Sequence, residues 1–109
     1  MKNKKKRIPH TVINKRETRH LRALGHQLSP LAMLGREGVT GSVLAAINEV
    51  LVKRELIKIK IQNNCPLDRQ EAAATVSSAS GAAVVQVIGR MILLYRPNPD
   101  LPAGQRIRF

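Results

Sequence analysis

The stretch Leu31-Ala32-Met33-Leu34-Gly35-Arg36-Glu37-Gly38-Val39-Thr40 decides how this chain is read. Four apolar residues run into a glycine-bracketed turn, and an amphipathic pattern follows. The reading is strand, Gly-x-x-Gly loop, helix. A glycine at each end admits backbone conformations closed to other residues and lets a ligand approach the main chain. The helix opening at Thr40 offers unpaired N–H groups and the positive end of its dipole. Such a loop suits a phosphate-bearing partner.

The surrounding charge says which phosphates. The chain has 109 residues and a formal charge of +12. Residues 1–36 hold ten Lys and Arg against one acid, Glu17, and so carry +9 of that total. A polyanion is the expected partner, and nucleic acid is the obvious one. Two glycines three apart are a weak motif alone. The strand before them, the helix after them and the basic segment upstream give them weight.

Upstream, residues 1–12 read as a flexible basic arm around Lys4-Lys5-Lys6-Arg7, with Pro9 discouraging helix. A first helix is expected from about Asn14 to Gln27. Leu21, Leu24 and Leu28 form its apolar stripe. Lys15, Arg19, Arg22 and His26 stack on another face, with Arg16 and His20 beside it. A solvated helix normally mixes signs. Here like charges repel along one face, which points to ligand binding. Ser29-Pro30 ends the helix, and Leu31–Leu34 reads as a short buried strand.

Downstream, Thr40 is the expected N-cap. Val43, Leu44, Ile47, Val50 and Leu51 mark a helix through Arg54. Glu55–Gln62 is the clearest strand. Ile57, Ile59 and Ile61 alternate with Lys58, Lys60 and Gln62, which predicts one covered face and one open face carrying two lysines. A third helix is expected from Pro66 to Ala79, with Leu67, Ala74 and Val76 buried and Gly81 as its C-cap. Ala83–Ile88 and Met91–Tyr95 are strands joined by a Gly89-Arg90 hairpin. Residues 98–109 read as an extended tail, where Arg106 and Arg108 would add weak phosphate contacts. The order is αβαβαββ, a two-layer α/β domain with a four-stranded mixed sheet. Its strand–helix–strand crossovers are expected to be right-handed.

Other chemistries are poorly supported. The loop lacks the glycine spacing and Lys-Ser/Thr pair of a P-loop. The three histidines have no metal-ligand spacing with Cys65 or the acids, so no metal and no cofactor are expected. Cys65, the one cysteine, has no partner base and fits a reducing compartment. No apolar run of about 18 residues is present, so no transmembrane helix is expected. No catalytic group stands out. With only Tyr95 and Phe109 as aromatics, base stacking on exposed rings is not available. Backbone and shape recognition of structured RNA is the expectation.

Several segments together resemble one family. They are His20-Leu21-Arg22-Ala23-Leu24-Gly25-His26, Pro30, Leu34-Gly35-Arg36-Glu37-Gly38-Val39-Thr40, Glu55-Leu56-Ile57-Lys58-Ile59-Lys60, Val85-Gln86-Val87-Ile88-Gly89 and Leu94-Tyr95-Arg96-Pro97. In order and without large gaps over residues 13–97, they resemble the bacterial YhbY family, the stand-alone form of the CRM RNA-binding domain. The resemblance implies a fold similar to the C-terminal domain of translation initiation factor three. It also implies RNA binding through the Gly-x-x-Gly loop and association with large ribosomal subunit precursors; the whole reading is of a non-enzymatic cytoplasmic protein.

The implied RNA-binding residues are Gly35, Arg36 and Gly38 in the loop and Lys15, Arg16, Arg19 and Arg22 on the helix, and Glu37 is a candidate by its place in the loop. Lys58 and Lys60 extend that surface. Glu37 adds an unfavourable charge and is expected to point away or to meet the helix N-terminus. Gly41 stands where members of the family often carry a charged residue. A monomer is expected, because one core accounts for the apolar positions. The alternatives are a protein-interaction module docking on an acidic partner, a general RNA binder not tied to ribosome assembly, and a duplex-DNA binder.

Overall fold

The computed structural model describes residues 10–109. The lysine-rich run Lys4–Arg7 lies outside the described residues. In chain order the elements are α1 (Lys15–Gly25), β1 (Pro30–Leu34), α2 (Gly41–Arg54), β2 (Leu56–Ile61), α3 (Arg69–Ser80), β3 (Ala83–Ile88) and β4 (Met91–Tyr95). A single 3-10 turn follows at Ala103–Gln105. The four strands form one mixed sheet in the order β1-β2-β4-β3, so the expected α/β fold is what the chain adopts. β1 pairs parallel with β2, and β4 runs antiparallel to both β2 and β3. Gly89, at φ +56°, makes the tight β3–β4 turn, and that hairpin inserts β4 beside β2.

Local chemistry sets the helix starts. The Asn14 side chain accepts from the Glu17 N–H at 2.8 Å, and the Glu17 carboxylate accepts from the Asn14 N–H at 3.1 Å. This reciprocal cap satisfies two otherwise orphaned donors. Asp68 and Glu71 do the same for α3. That pair places the start of α3 at Arg69, three residues beyond the expected Pro66. Gly81 at φ +75° closes α3 as expected.

The main core lies between one sheet face and helices α2 and α3. Ile57, Ile59 and Ile61 of β2 meet Ile92 and Leu94 of β4, Ile47 and Leu51 of α2, and Ala72, Ala73 and Val76 of α3. The alanines let α3 lie close to the sheet, while Ala74, expected inside, is exposed. The opposite face, expected to be open, is half covered. There α1 and the C-terminal segment pack a second core of Leu21, Leu56, Val85, Leu93 and Tyr95. An irregularity between Val84 and Gln86 in β3 helps to place Val85 on that side.

The seating of α1 corrects its expected apolar stripe. Leu24 is exposed, and Gly25 is buried instead. A Cβ on Gly25 would lie 2.4 Å from Leu93 Cδ2. The missing side chain is what lets the end of α1 approach β4. β1 is also less buried than expected. It is an edge strand whose Leu31 and Met33 are exposed, while Leu34 is fully enclosed.

Glu55 holds the remaining pieces together. It stands between α2 and β2, fully buried, at φ +67°. Its carboxylate accepts from the backbone N–H of Asn98 at 2.6 Å and of Ile107 at 2.7 Å, and from Arg106 Nε at 3.3 Å. Residues 98–109, expected to trail away, therefore fold back onto the domain. Arg106 is bound to Glu55 rather than held out for phosphate. Phe109 reaches the edge of Tyr95 and the ring of His20. On the other side His10 Nε2 lies 2.9 Å from Ser77 Oγ, and the Thr11 N–H donates to the Gly81 carbonyl.

Two outcomes follow from this packing. Glu55→Ala strands two part-buried N–H groups and a guanidinium, and should cost about 2–3 kcal/mol in urea unfolding. Hydrogen exchange should speed up at Asn98 and Ile107 well before the β2 amides, and unchanged protection at both would contradict the clasp. Burial pushes the Tyr95 phenol above its ordinary value, and the Glu55 carboxylate adds to the shift. The unfolded chain loses that proton from about pH 10 upward while the folded protein keeps it. The stabilisation is thus present below that pH and lost above it. Stability should fall more steeply above about pH 10 for the unaltered chain than for Tyr95→Phe.

Candidate nucleic-acid interface

The Gly35–Gly38 turn is closed by its own backbone. The Gly38 N–H donates to the Gly35 carbonyl at 3.0 Å, with Arg36 and Glu37 at the tip. Gly38 is buried and sits at φ +71°, a conformation other residues reach only with strain. At Gly35 the crowding is with a side chain instead, since a Cβ there would meet the movable end of Gln62, Oε1, at 2.9 Å. Gln62 also donates from its backbone N–H to the Leu34 carbonyl at 2.9 Å and from Nε2 to Met33 Sδ at 3.2 Å. The turn is therefore fastened to the end of β2.

Helix α2 starts at Gly41, three residues beyond Gly38. Thr40 Oγ1 accepts from the Val43 N–H at 3.1 Å, and no acid lies in the first turn of the helix. Gly41 at its start has open space around it. No side chain in the first turn of α2 therefore offsets the positive end of its dipole. Arg36 and Glu37 are both exposed. The cap of α2 comes from Thr40, and Glu37 takes no part in it.

The other anticipated residues fall into groups. Lys15, Arg19 and Arg22 line one shallow groove on the outer face of α1, with Asn14 and Thr18. Arg16 lies on a neighbouring groove with His20 and Phe109, and Arg19 borders both. Lys60 is exposed beside Gln62, Asn63 and Asn64, next to the glycine turn. Lys58 is half-buried and lines a cavity with His26 under the end of α1. Parallel pairing sets Lys58 against Pro30 and Lys60 against Met33. The two lysines therefore lie along the line that leads from α1 to the turn.

Two arginines escaped the sequence reading. The Ile61 N–H donates to the Arg90 carbonyl, and Arg69 Nη1 donates to the Gly89 carbonyl at 3.4 Å. Because Ile61 pairs with Leu34, Arg69 and Arg90 share the rim that carries the glycine turn. They border a cavity of about 560 Å³ with Pro66 and Leu67. Those same two residues pack near Gly38. No local signal links residues 69 and 90 to residue 36; only the sheet does. Arg96, by contrast, is structural. Its Nη1 donates to Asn48 Oδ1 and the Ser80 carbonyl, each at 2.7 Å, and burial lowers its pKa from the ordinary value.

Among the described residues the one ion pair is Arg106–Glu55, so the cations of α1, the turn and the rim carry no acidic partner. No group of three or more His, Cys, Asp or Glu among them is placed to hold a metal. No helix among them is long and apolar enough to cross a membrane. Fold and surface together define a small α/β domain with a cationic, glycine-turned rim.

Residues 13–96 match the model of the CRS1 / YhbY (CRM) domain, and the chain belongs to that family. It is 34% identical over 85 residues to a Bacillus subtilis protein named "Probable RNA-binding protein YqeI", a match covering 78% of this chain and 88% of that one. A Haemophilus influenzae protein named "RNA-binding protein" is 36% identical over 90 residues, covering 83% and 91%. The solution structure of the hypothetical protein SAV1595 from Staphylococcus aureus superposes with a TM-score of 0.72 at 35% identity. That match covers 82% of this chain and 93% of the other.

The two glycines should respond differently to a methyl group. Gly38→Ala is expected to cost about 1–2 kcal/mol through its backbone conformation. Gly35→Ala should cost less than Gly38→Ala, because only the flexible end of Gln62 must move. Urea unfolding of the two variants checks the order, and a larger loss at Gly35 would contradict it.

Proposed function

We propose that this chain is a non-enzymatic RNA-binding protein that works as a cytoplasmic monomer. The observation that carries the reading is the uncompensated cationic surface. Lys15, Arg16, Arg19 and Arg22 on α1 and Arg36 at the glycine turn are exposed and without an acidic partner among the described residues. Relatives of this chain are named for RNA binding. In this reading the Gly35–Gly38 turn clamps the RNA backbone. The N–H groups at the start of α2 and the Arg36 guanidinium meet phosphate oxygens, the latter in a two-pronged geometry suited to that anion. Lys15, Arg19 and Arg22 orient the RNA, and Lys58 and Lys60 extend the contact. Glu37 turns away from the phosphates.

The proposed cellular role is assembly of the large ribosomal subunit, with a folded segment of precursor ribosomal RNA as the ligand. The resemblance of the motifs to the YhbY family supports it. Electrostatics then supplies most of the affinity, and affinity falls linearly with salt on a log–log plot.

A titration of the full chain with a large-subunit ribosomal RNA fragment tests the contact. Changing Arg19 and Arg36 together to alanine should lower the salt slope by about 2 and weaken binding, with the fold intact by circular dichroism. An unchanged slope and affinity would remove the turn and α1 from the interface. Crosslinking in growing cells tests the role. Sites clustered in large-subunit ribosomal RNA, and lost in the double variant, support it. An even spread over abundant RNAs leaves a general RNA binder.

A further inference from the structure

The half of the second sheet face that α1 leaves uncovered ends in a cavity of about 240 Å³. His26, Lys58, Gln86, Ile88, Met91 and Leu93 line it. Its size is slightly below the roughly 300–1,000 Å³ of pockets for drug-sized ligands. Its walls divide by chemistry. Ile88, Met91 and Leu93 offer an apolar surface, and Ile88 is 59% exposed on the domain by itself. Lys58, His26 and the Gln86 amide supply polar groups, and no acid lines the cavity. Met91 of the cavity pairs with Lys60 of β2, which pairs in turn with Met33 of β1, exposed and two residues before Gly35.

We infer that this cavity takes one unpaired nucleobase of the bound RNA, reached along the β1–β2 face from the glycine turn. The inference rests on the RNA-binding reading above and adds a base-reading site to it. Charge and shape choose the occupant. Lysines rising from an apolar strip complement a chain that alternates flat rings with phosphates. A methionine sulfur makes favourable contact with an aromatic ring, so Met91 and Met33 offer a stacking surface in a protein with no exposed tyrosine or tryptophan. One side-chain amide presents a donor and an acceptor together, the pattern needed to pair with a base edge. Bases inside an A-form duplex are stacked and cannot enter, so the ligand carries an unpaired nucleotide. The scarcity of aromatics, which argued against base recognition from the sequence, thus does not exclude it.

The test compares a blunt RNA hairpin with the same hairpin bearing a short single-stranded tail of U, A, C or G in turn. Binding is measured with the full chain, with Gln86→Leu and with Met91→Ala. At least one tail should strengthen binding of the unaltered chain about tenfold. That gain should vanish in both variants, while all three proteins bind the blunt hairpin equally. The favoured tail should also shift the amide resonances of Lys58, Gln86 and Met91. Gln86→Leu keeps the half-buried volume, so it remains informative if Met91→Ala fails to fold. No gain from any tail, or a gain that survives Gln86→Leu, overturns the inference and leaves the backbone clamp standing. A concentration-dependent dimer lost in Met91→Ala overturns it by assigning the face to a second copy. Failure of the unaltered chain to bind either RNA removes the RNA-binding reading and this inference with it.

Discussion

A carboxylate with no water around it must be held by donors, and the structure is arranged to meet that demand at Glu55. Its position between α2 and β2 requires a positive φ, a strain of roughly 1–3 kcal/mol for a residue with a side chain. Two backbone N–H groups and the Arg106 guanidinium surround the carboxylate. Its own N–H donates to Leu51 and its carbonyl accepts from Arg96. One residue thereby ends a helix, begins the β2–β4 pairing and seats the C-terminal segment. Removing any of these partners leaves a buried charge or a buried donor unmatched.

The clasp reaches the proposed RNA surface through packing. The C-terminal segment brings Ile107 into the second core and Phe109 against His20 of α1. Gly25 lets the C-terminal end of α1 settle onto Leu93. The basic helix is thus held at its middle and at its C-terminal end against the sheet that also carries the glycine turn. Cations mounted on rigid elements lose less freedom on binding than cations on loops. The fold turns a sequence rich in lysine and arginine into a directional surface.

Most elements were legible because their signals are local. The alternation of Ile57, Ile59 and Ile61 with lysines, the Gly89-Arg90 turn and Thr40 before an amphipathic run each act within a few residues. The start of α3 was misplaced because Pro66 and Asp68 both open helices well, and the reciprocal Asp68–Glu71 cap decides between them. Leu24 and Ala74 lie on apolar stripes yet are exposed, because spacing alone cannot tell which of two adjacent helical stripes meets the sheet. The docked tail left no local trace. Prolines and a glycine describe how a segment bends, and say nothing of a carboxylate forty residues upstream that will hold it.

The proposed surface divides the same way. The sequence by itself determined the glycine turn, its place between strand and helix, and the excess of cations in the first third of the chain. These depend on backbone conformation and composition. Tertiary structure alone decided that Arg69 and Arg90 share a rim with Arg36, that Lys58 faces a cavity while Lys60 is exposed, and that Gln86 and Met91 line one cavity with His26. Those neighbours are brought together by strand pairing between distant segments. The register of a sheet is set by the whole core packed against it, which no short stretch of sequence contains.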